Sequence, residues 1–394
     1  MKNIITEIEK RININSFKKN IILIGERPSD ARDNGYWFFK YIRETYPSIN
    51  IYYIITKESP DYEKVSFLGN IVIYDSIEHE NLFIVSSVLI STHTRGMIEP
   101  SFFDKTKAMK QYSKYYDKKY IFLQHGISIS NLTQNFNKNN TNNANFSKLI
   151  CGALPEYRHF ESNLGYDKNI VVYTGFPRFD SILKNKNKWG IKRKILFMPT
   201  WRANICSPSY KKKKIYNDYR FLKSNYYATL LSFLNNEQLQ ITLEKNDMEL
   251  HFIPHPEVKQ YLHYITTHNK NVKIINPETI NIQEELIEAK LLITDYSSVF
   301  FDFIFMKKPV IFYQFDKEDF FSKHYKKGYF DFSKHYFGEV VKDEKSLISE
   351  IRRNFYINFD FSLNAELTHR QFFLKYDTNN CKRIYNQLLD VLKN

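Results

Sequence analysis

The 394-residue chain has few cysteines, few glycines and no long apolar run. Its three cysteines, Cys151, Cys206 and Cys381, stand far apart. Such spacing forms neither a disulfide framework nor a zinc pattern, and it suits a reducing compartment. The best apolar run, Leu82 to Ile90 (LFIVSSVLI), contains two serines. It is too short to span a bilayer, so any work at a membrane is expected on its surface. The first twenty residues have no continuous apolar core and do not read as a signal peptide. Gly25 and Gly35 are too far apart for a dinucleotide-binding fingerprint. No repeat recurs at a solenoid period.

What is present is enough for real cores. Hydrophobic residues make up 43% and aromatics 16% of the chain. The length suggests two domains of about 200 residues each. The formal net charge is +14, from 57 Lys and Arg against 43 Asp and Glu. This excess suits anionic partners: nucleic acid, an anionic membrane surface or phosphate-rich substrates. The chain is also crowded with Lys, Asn, Ile, Tyr and Phe, as AT-rich coding would produce, so part of the charge has a compositional reading.

Taken in order, strands are expected at Asn20–Gly25, Ile51–Thr56, Val85–Ser91, Tyr120–Leu123, Lys148–Cys151 and Asn169–Thr174, with helices over Tyr36–Arg43 and Lys105–Lys119. That is how a Rossmann-like domain is built. Gln124–His125–Gly126 follows a strand, and a histidine there stands where an active-site side chain would. Asn131–Asn145 reads as a loop. Leu183–Lys194 is polar and basic and reads as an interdomain linker. A second series follows. Strand Ile195–Met198 ends in Pro199–Thr200–Trp201–Arg202. Strand Leu250–Ile253 ends in Pro254–His255–Pro256–Glu257. Val272–Ile275 is a short strand and Ile282–Ala289 a helix. Lys211–Lys214 is a solvated loop or a contact for anionic lipid headgroups. Gly338–Val341 reads as an edge strand, and Cys381–Leu392 has helical apolar spacing.

Leu291–Tyr313 (LLITDYSSVFFDFIFMKKPVIFY) reads as strand, tight loop, short helix and strand. In such a unit the loop after the first strand opens at the carboxyl edge of the sheet, where ligands sit. Ser297 or Ser298 is expected to cap the helix, whose free N–H groups would favour an anion. The alternative is a capped helix between two buried strands.

Five motifs in order resemble one family. They are Leu123–Gln124–His125–Gly126; Gly175–Phe176–Pro177–Arg178–Phe179–Asp180; Pro199–Thr200–Trp201–Arg202; His255–Pro256; and Thr294–Asp295–Tyr296–Ser297–Ser298, with Asp302 and Lys308–Pro309. The set resembles the CDP-glycerol glycerophosphotransferases, the primases and polymerases of teichoic acid synthesis and related capsule enzymes. The resemblance runs from about Asn20 to the C-terminus. It implies an α/β, GT-B-like fold of two Rossmann-type domains facing across a cleft, the acceptor on the N-terminal side and the nucleotide donor on the C-terminal side. The corresponding boundaries are 1–185 and 190–365, with a helical segment at 366–394 packing back across the domains. The length resembles the short primase-like members. Many members have a Trp before the first histidine where this chain has Gln124, and the resemblance assigns no role to Glu26 or Asp33–Asn34.

The implied reaction moves glycerol phosphate from CDP-glycerol to an acceptor hydroxyl and releases CMP. Its demands are a base, stabilised phosphoryl charge and a leaving group held in line. His125 is the candidate base, and His255 would stabilise phosphate. Arg202 offers a planar fork to phosphate oxygens. Ser297 and Ser298 would hold the diphosphate, and Thr200 would add a hydroxyl. Asp295 would orient a ribose hydroxyl, orient His255 or be structural, and Asp302 reads as structural. Gly126, Arg178 and Asp180 complete the candidate set. The residues identify no certain cofactor; a divalent metal is compatible with the chemistry, but no Asp-X-Asp motif supports one. The expected partners are CDP-glycerol or CDP-ribitol, a polyprenyl-linked or polyol-phosphate acceptor and an anionic membrane surface, without nucleic acid. The expected location is cytoplasmic, on the inner face of the cell membrane. The competing readings are a ribitol phosphate transferase, an ordinary nucleotide-sugar glycosyltransferase, and a non-catalytic basic protein that binds RNA or membrane.

Overall fold

A computed structural model describes residues 20–93, 97–101, 118–139, 146–186, 191–206, 218–323 and 327–393. The stretch Lys211–Lys214, all but the end of the helix expected over Lys105–Lys119, most of the linker's middle, the far end of the Asn131–Asn145 loop and the first nineteen residues lie outside them. The chain divides into two units. Unit 1 comprises Met1–Ile127, Thr133–Ser181 and Lys375–Asn394; unit 2 comprises Ser128–Leu132 and Ile182–Leu374.

Unit 1 is built on seven strands: β1 (Ile22–Gly25), β2 (Ile51–Ile55), β3 (Ile71–Ile73), β4 (Val88–Ser91), β5 (Lys119–Phe122), β6 (Lys148–Cys151) and β7 (Val171–Tyr173). Their order is β3-β2-β1-β4-β5-β6-β7, and every pairing is parallel. Strands covered on both faces read as continuous apolar runs, and β1 and β4 are buried at every residue. The expected strands are present, with one refinement. Leu82–Ile90 does not form one element: Leu82 to Val85 ends the helix Ile77–Val85, Ser86 caps it, and β4 starts at Val88. The strand Ile71–Ile73 gave no sequence signal, being three residues long and buried only at its centre.

Unit 2 repeats the plan with β8 (Lys194–Phe197), β9 (Glu249–Phe252), β10 (Val272–Ile274), β11 (Leu291–Thr294), β12 (Val310–Tyr313) and β13 (Gly338–Val341). The order is β10-β9-β8-β11-β12-β13, again all parallel. The helix after β11, Phe300–Phe305, is buried on every side. Its sequence, FFDFIF, is correspondingly apolar at every position but Asp302. Each unit is thus an α/β, doubly wound, Rossmann-type domain.

The C-terminal residues divide between the units. The helix Leu363–Phe372 buries Phe372 in unit 2 against Phe301, Phe330 and Phe337. The last helix, Asn380–Lys393, belongs to unit 1 and buries Cys381, Ile384, Leu388 and Val391. Asp180 holds its start: the Asn380 and Cys381 N–H groups and the Asn380 side chain all donate to that carboxylate, at 2.6–2.9 Å. Lys308 lies at the opposite edge of its sheet from the β11 loop. Its ammonium donates to the carbonyls of Leu286, Ile287 and Ala289, which end the helix Ile282–Glu288. Burial and the charge of Lys194 pull its pKa down to about 7.

Candidate functional site

Doubly wound sheets bind ligands at the carboxyl edge, where the strand order reverses. In unit 1 that point lies between β1 and β4, and in unit 2 between β8 and β11. The sequence candidates fall on both edges.

In unit 1, β5 ends at Phe122 and the chain turns sharply at Gln124, a non-glycine residue with φ of +56°. Such a conformation costs roughly 1–2 kcal/mol and persists only when neighbours hold it. Here the Gln124 side chain donates to the Ile150 carbonyl at 2.6 Å, and its own carbonyl accepts from Asn34 Nδ2 at 2.7 Å. The turn presents His125, whose ring keeps an exposed face. The ring packs parallel to His93 with centroids 4.9 Å apart and is hydrogen-bonded to the Thr92 backbone. Crowding by the protein, then the charges of Arg27 and Arg178, lower its pKa to about 4. The imidazole is therefore neutral at pH 7 and carries a free lone pair, as a general base must. His93 is also held well below the usual histidine range, by burial and by its neighbours His125 and Arg27.

Arg178 is buried. It donates to Asp33 at 2.9 Å and to the His125 carbonyl at 3.1 Å. Asp33 caps the helix Asn34–Thr45 by accepting from the Asn34 N–H. Beneath that loop Glu26 accepts from the N–H groups of Arg32, Asp33 and Tyr36 at 2.8–3.0 Å. Burial and Asp33 push the Glu26 carboxyl up to about 8. Gly126 follows in the same turn. Asp180, a sequence candidate, spends both carboxylate oxygens on the last helix and is structural.

In unit 2 the structure departs from the sequence reading at Arg202. The guanidinium has five N–H donors, and all five are engaged within the fold. They reach both oxygens of Asp316 (2.6 and 2.9 Å), Asp295 Oδ2 (2.9 Å), and the Thr200 and Trp201 carbonyls (2.5 and 3.3 Å). Four rings surround the group, Tyr226 and Phe320 at 4.9 Å and Tyr296 and Phe315 at 5.5 Å. Burial opposes its charge, but Asp295 and Asp316 outweigh that and raise its pKa. No fork remains for phosphate.

Thr200 follows suit: its hydroxyl and N–H both donate to Asp295 Oδ1, at 2.7 and 2.8 Å. Asp295 also accepts from the Tyr296 N–H. Of the three roles open to Asp295, the contacts supply the structural one. It ties the loop after β11 to the loop after β8. A cavity of about 460 Å³ opens beside this knot, lined by Arg202, Arg220, Tyr226, Asp316, Asp319 and Phe320 among others. That volume falls in the range of small-molecule sites.

Of the sequence candidates in unit 2, Ser297, Ser298 and His255 lie outside the knot. Ser297 accepts weakly from the Val299 N–H, at 3.4 Å. The helix begins only at Phe300, with Val299 at its cap position and no side-chain cap. Neither serine is the expected cap, and a six-residue helix has a weak dipole. Both serines are half-exposed in the loop after β11. The third is His255, which precedes the 3₁₀ turns Pro256–Tyr264 and caps them: its Nδ1 accepts from the Glu257 N–H at 3.2 Å. With Nδ1 accepting, the ring proton sits on Nε2. Its ring lies 6.0 Å from Trp201.

Residues absent from the sequence candidates are His93, Asp33, Asn34, Gln124 and Asp316. Asp33–Asn34 before an apolar helical pattern is a legible cap signal, but nothing local says that the cap also reaches His125. Asp316 follows β12 and is separated from Arg202 by 114 residues.

Among the described residues no helix is long and apolar enough to cross a membrane. Comparison with known proteins gives the chain its relatives. It is 32% identical over 384 residues to the minor teichoic acid biosynthesis protein GgaB of Bacillus subtilis, spanning 96% of this chain and 40% of that protein. It is 30% identical over 234 residues to a teichoic acid poly(glycerol phosphate) polymerase of Bacillus spizizenii, spanning 56% of this chain and 54% of the other. The chain therefore spans about half or less of the length of these relatives. Among solved structures it resembles the wall teichoic acid polymerase TagF, with a TM-score of 0.69 at 18% identity over 100% of this chain and 96% of that one. That likeness concerns the GT-B-like fold. Residues 8–390 match the profile of the CDP-Glycerol:Poly(glycerophosphate) glycerophosphotransferases, and the chain belongs to that family.

Proposed function

We propose that the protein transfers glycerol phosphate from CDP-glycerol to a hydroxyl of a glycan or polyol-phosphate acceptor, releasing CMP, in the synthesis of a teichoic-acid-type surface polymer. The observation that carries this reading is a family match along nearly the whole chain combined with a neutral, clamped histidine on one carboxyl edge and a second histidine on the other. His125 takes the proton of the attacking hydroxyl through its free ring nitrogen. The acceptor oxygen bonds to the β-phosphorus, the bond from that phosphorus to the oxygen shared with the α-phosphate breaks, and CMP leaves with the electron pair. His255 donates its Nε2 proton to a phosphate oxygen. Ser297 and Ser298 add hydroxyl donors. Arg202, Asp295 and Thr200 hold the loops that carry these groups and touch no phosphate. The solved TagF structures include a histidine variant soaked with CDPG, which supports a CDP-linked donor for the family.

The test is to incubate the purified chain with CDP-glycerol and a lipid-linked acceptor, then to follow CMP release and product mass. Absence of CMP release with every CDP-polyol overturns the reading. CDP-ribitol is the second donor to try, because ribitol-phosphate polymerases also match, at 26% identity over 63% of this chain in one case. The +14 charge supports work on the inner face of an anionic membrane, where a lipid-linked acceptor would be held.

A further inference from the structure

Glu26 and the Asp33–Asn34 pair have no counterpart among the chemical groups of the proposed reaction, yet they are among the most fully bonded polar residues of unit 1. Asn34 is wholly buried and works in two directions. Its Nδ2 donates to the Gln124 carbonyl at 2.7 Å, and its Oδ1 accepts from the Arg178 N–H at 3.3 Å. Asp33 accepts from Arg178 at 2.9 Å, and Arg178 also donates to the His125 carbonyl at 3.1 Å. Three separate segments, the loop after β1, the turn after β5 and the start of the helix Pro177–Asn185, thus meet on the backbone of Gln124 and His125. The strained φ of Gln124 is held by these bonds. On the other side, the Thr92 backbone and the His93 ring hold the imidazole itself. His93 is fixed in turn: its carbonyl accepts from the Tyr120 hydroxyl at 3.0 Å, and its N–H donates to Ser91 Oγ at 3.2 Å.

We propose that Asp33, Asn34 and Arg178 are positioning residues for His125, a clamp on the backbone that sets where its ring stands in the acceptor site. The inference rests on His125 acting as the base. Glu26 serves the clamp by tying down the N–H groups of the loop that carries Asp33. A base must stand within hydrogen-bond reach of the proton it takes, and a displacement of about 1 Å can cost about a hundredfold in rate. The clamp acts on the turnover step and not on donor binding.

The experiment measures CMP release from CDP-glycerol for Asn34→Asp, Asn34→Ala, Asp33→Asn and Arg178→Lys, each in the native chain and in a His125→Ala chain. Circular dichroism melts identify which variants are folded. Asn34→Asp is nearly isosteric; it keeps an acceptor for the Arg178 N–H but sets a carboxyl group, with its buried charge, against the Gln124 carbonyl. In the native chain we expect kcat to fall about ten- to a hundredfold with the KM for CDP-glycerol little changed. In the His125→Ala chain the same replacements should cost nothing further, because groups that act as a unit are not additive. Folded variants with native kcat overturn the inference, as does an equal fall in both backgrounds or a change confined to KM. If all four variants unfold, the residues are structural and the inference also fails. Native turnover by His125→Ala overturns the base reading itself. Loss of turnover in His125→Ala alone, with clamp variants fully active, overturns only the clamp.

Discussion

The carboxyl edges of the two sheets treat their charged residues in opposite ways. In unit 1 the cation Arg178, the anion Asp33 and the amide Asn34 converge on one backbone turn and leave a neutral imidazole at its tip. In unit 2 the residues with the most obvious chemistry, Arg202 and Asp295, are spent on each other and on Asp316. What they leave at the edge is a histidine with one nitrogen already committed and two loop hydroxyls. A charged side chain at a strand's carboxyl end is therefore no guide to ligand contact until its own donors and acceptors have been counted. Burying an arginine demands partners for every N–H, and once these are found the group is scaffold.

The comparison can be broken at several points. The largest effect is expected from His125→Ala, which should lower turnover by about 10² to 10⁴ while leaving the melting temperature close to native; CMP release measures the first and calorimetry the second. Arg202→Met should do the reverse. It leaves Asp295 buried and Asp316 half-buried without their cation, which costs about 3–5 kcal/mol of stability. Denaturant unfolding would show it, and a loss of CDP-glycerol affinity in a fully stable variant would restore Arg202 to the ligand. His255→Ala should reduce turnover about a hundredfold, whereas His255→Asn keeps an acceptor near the Glu257 N–H and should preserve the fold without the activity. Ser298→Ala should weaken CDP-glycerol binding about ten- to a hundredfold by calorimetry, one hydrogen bond to a charged group being worth about 1.5–3 kcal/mol.

The smallest effect is a pH shift. His125 has its pKa lowered to about 4 in the fold against about 6.5 unfolded. As pH falls from 6.5 towards 4 the unfolded chain takes up the proton first, so this group withdraws stability across that window. The acidic limb of kcat/KM for the free enzyme should likewise lie near pH 4. Arg27→Gln removes one of the charges that lower it and should move the limb upward; a limb fixed near 6.5 in both proteins would mean that the ring is not held neutral by its surroundings.

Much of this was legible in the chain. Apart from Ile71–Ile73, the strands of both sheets follow from their apolar runs, and the placing of His125 and His255 at strand ends follows from where those runs stop. The helix Tyr36–Arg43 was found nearly to its ends, because Asp33 caps it and Phe38, Phe39 and Ile42 are buried at helical spacing. What could not be read was pairing across distance. Arg202 reads as a phosphate ligand in isolation, and only the arrival of Asp316 after β12 shows otherwise. Ser298 reads as a cap beside an apolar run, yet Val299 and Phe300 begin the helix. Arg178 lies 145 residues from Asp33, and no local pattern announces that they meet.

The last helix imposes an order on synthesis. Asp180 must wait 200 residues for Asn380, an interval of roughly 10–40 s at about 5–20 residues per second. The edge strand β7 waits equally, for the Tyr173 carbonyl is covered by Lys375 and that of Thr174 by Arg383. By then all of Ile182–Leu374 has left the ribosome. Unit 2 can therefore finish folding while the helix that carries Arg178 is still unpinned, and the grip on His125, begun at Asp33 and Asn34, is completed only when Asn380 and Cys381 reach Asp180.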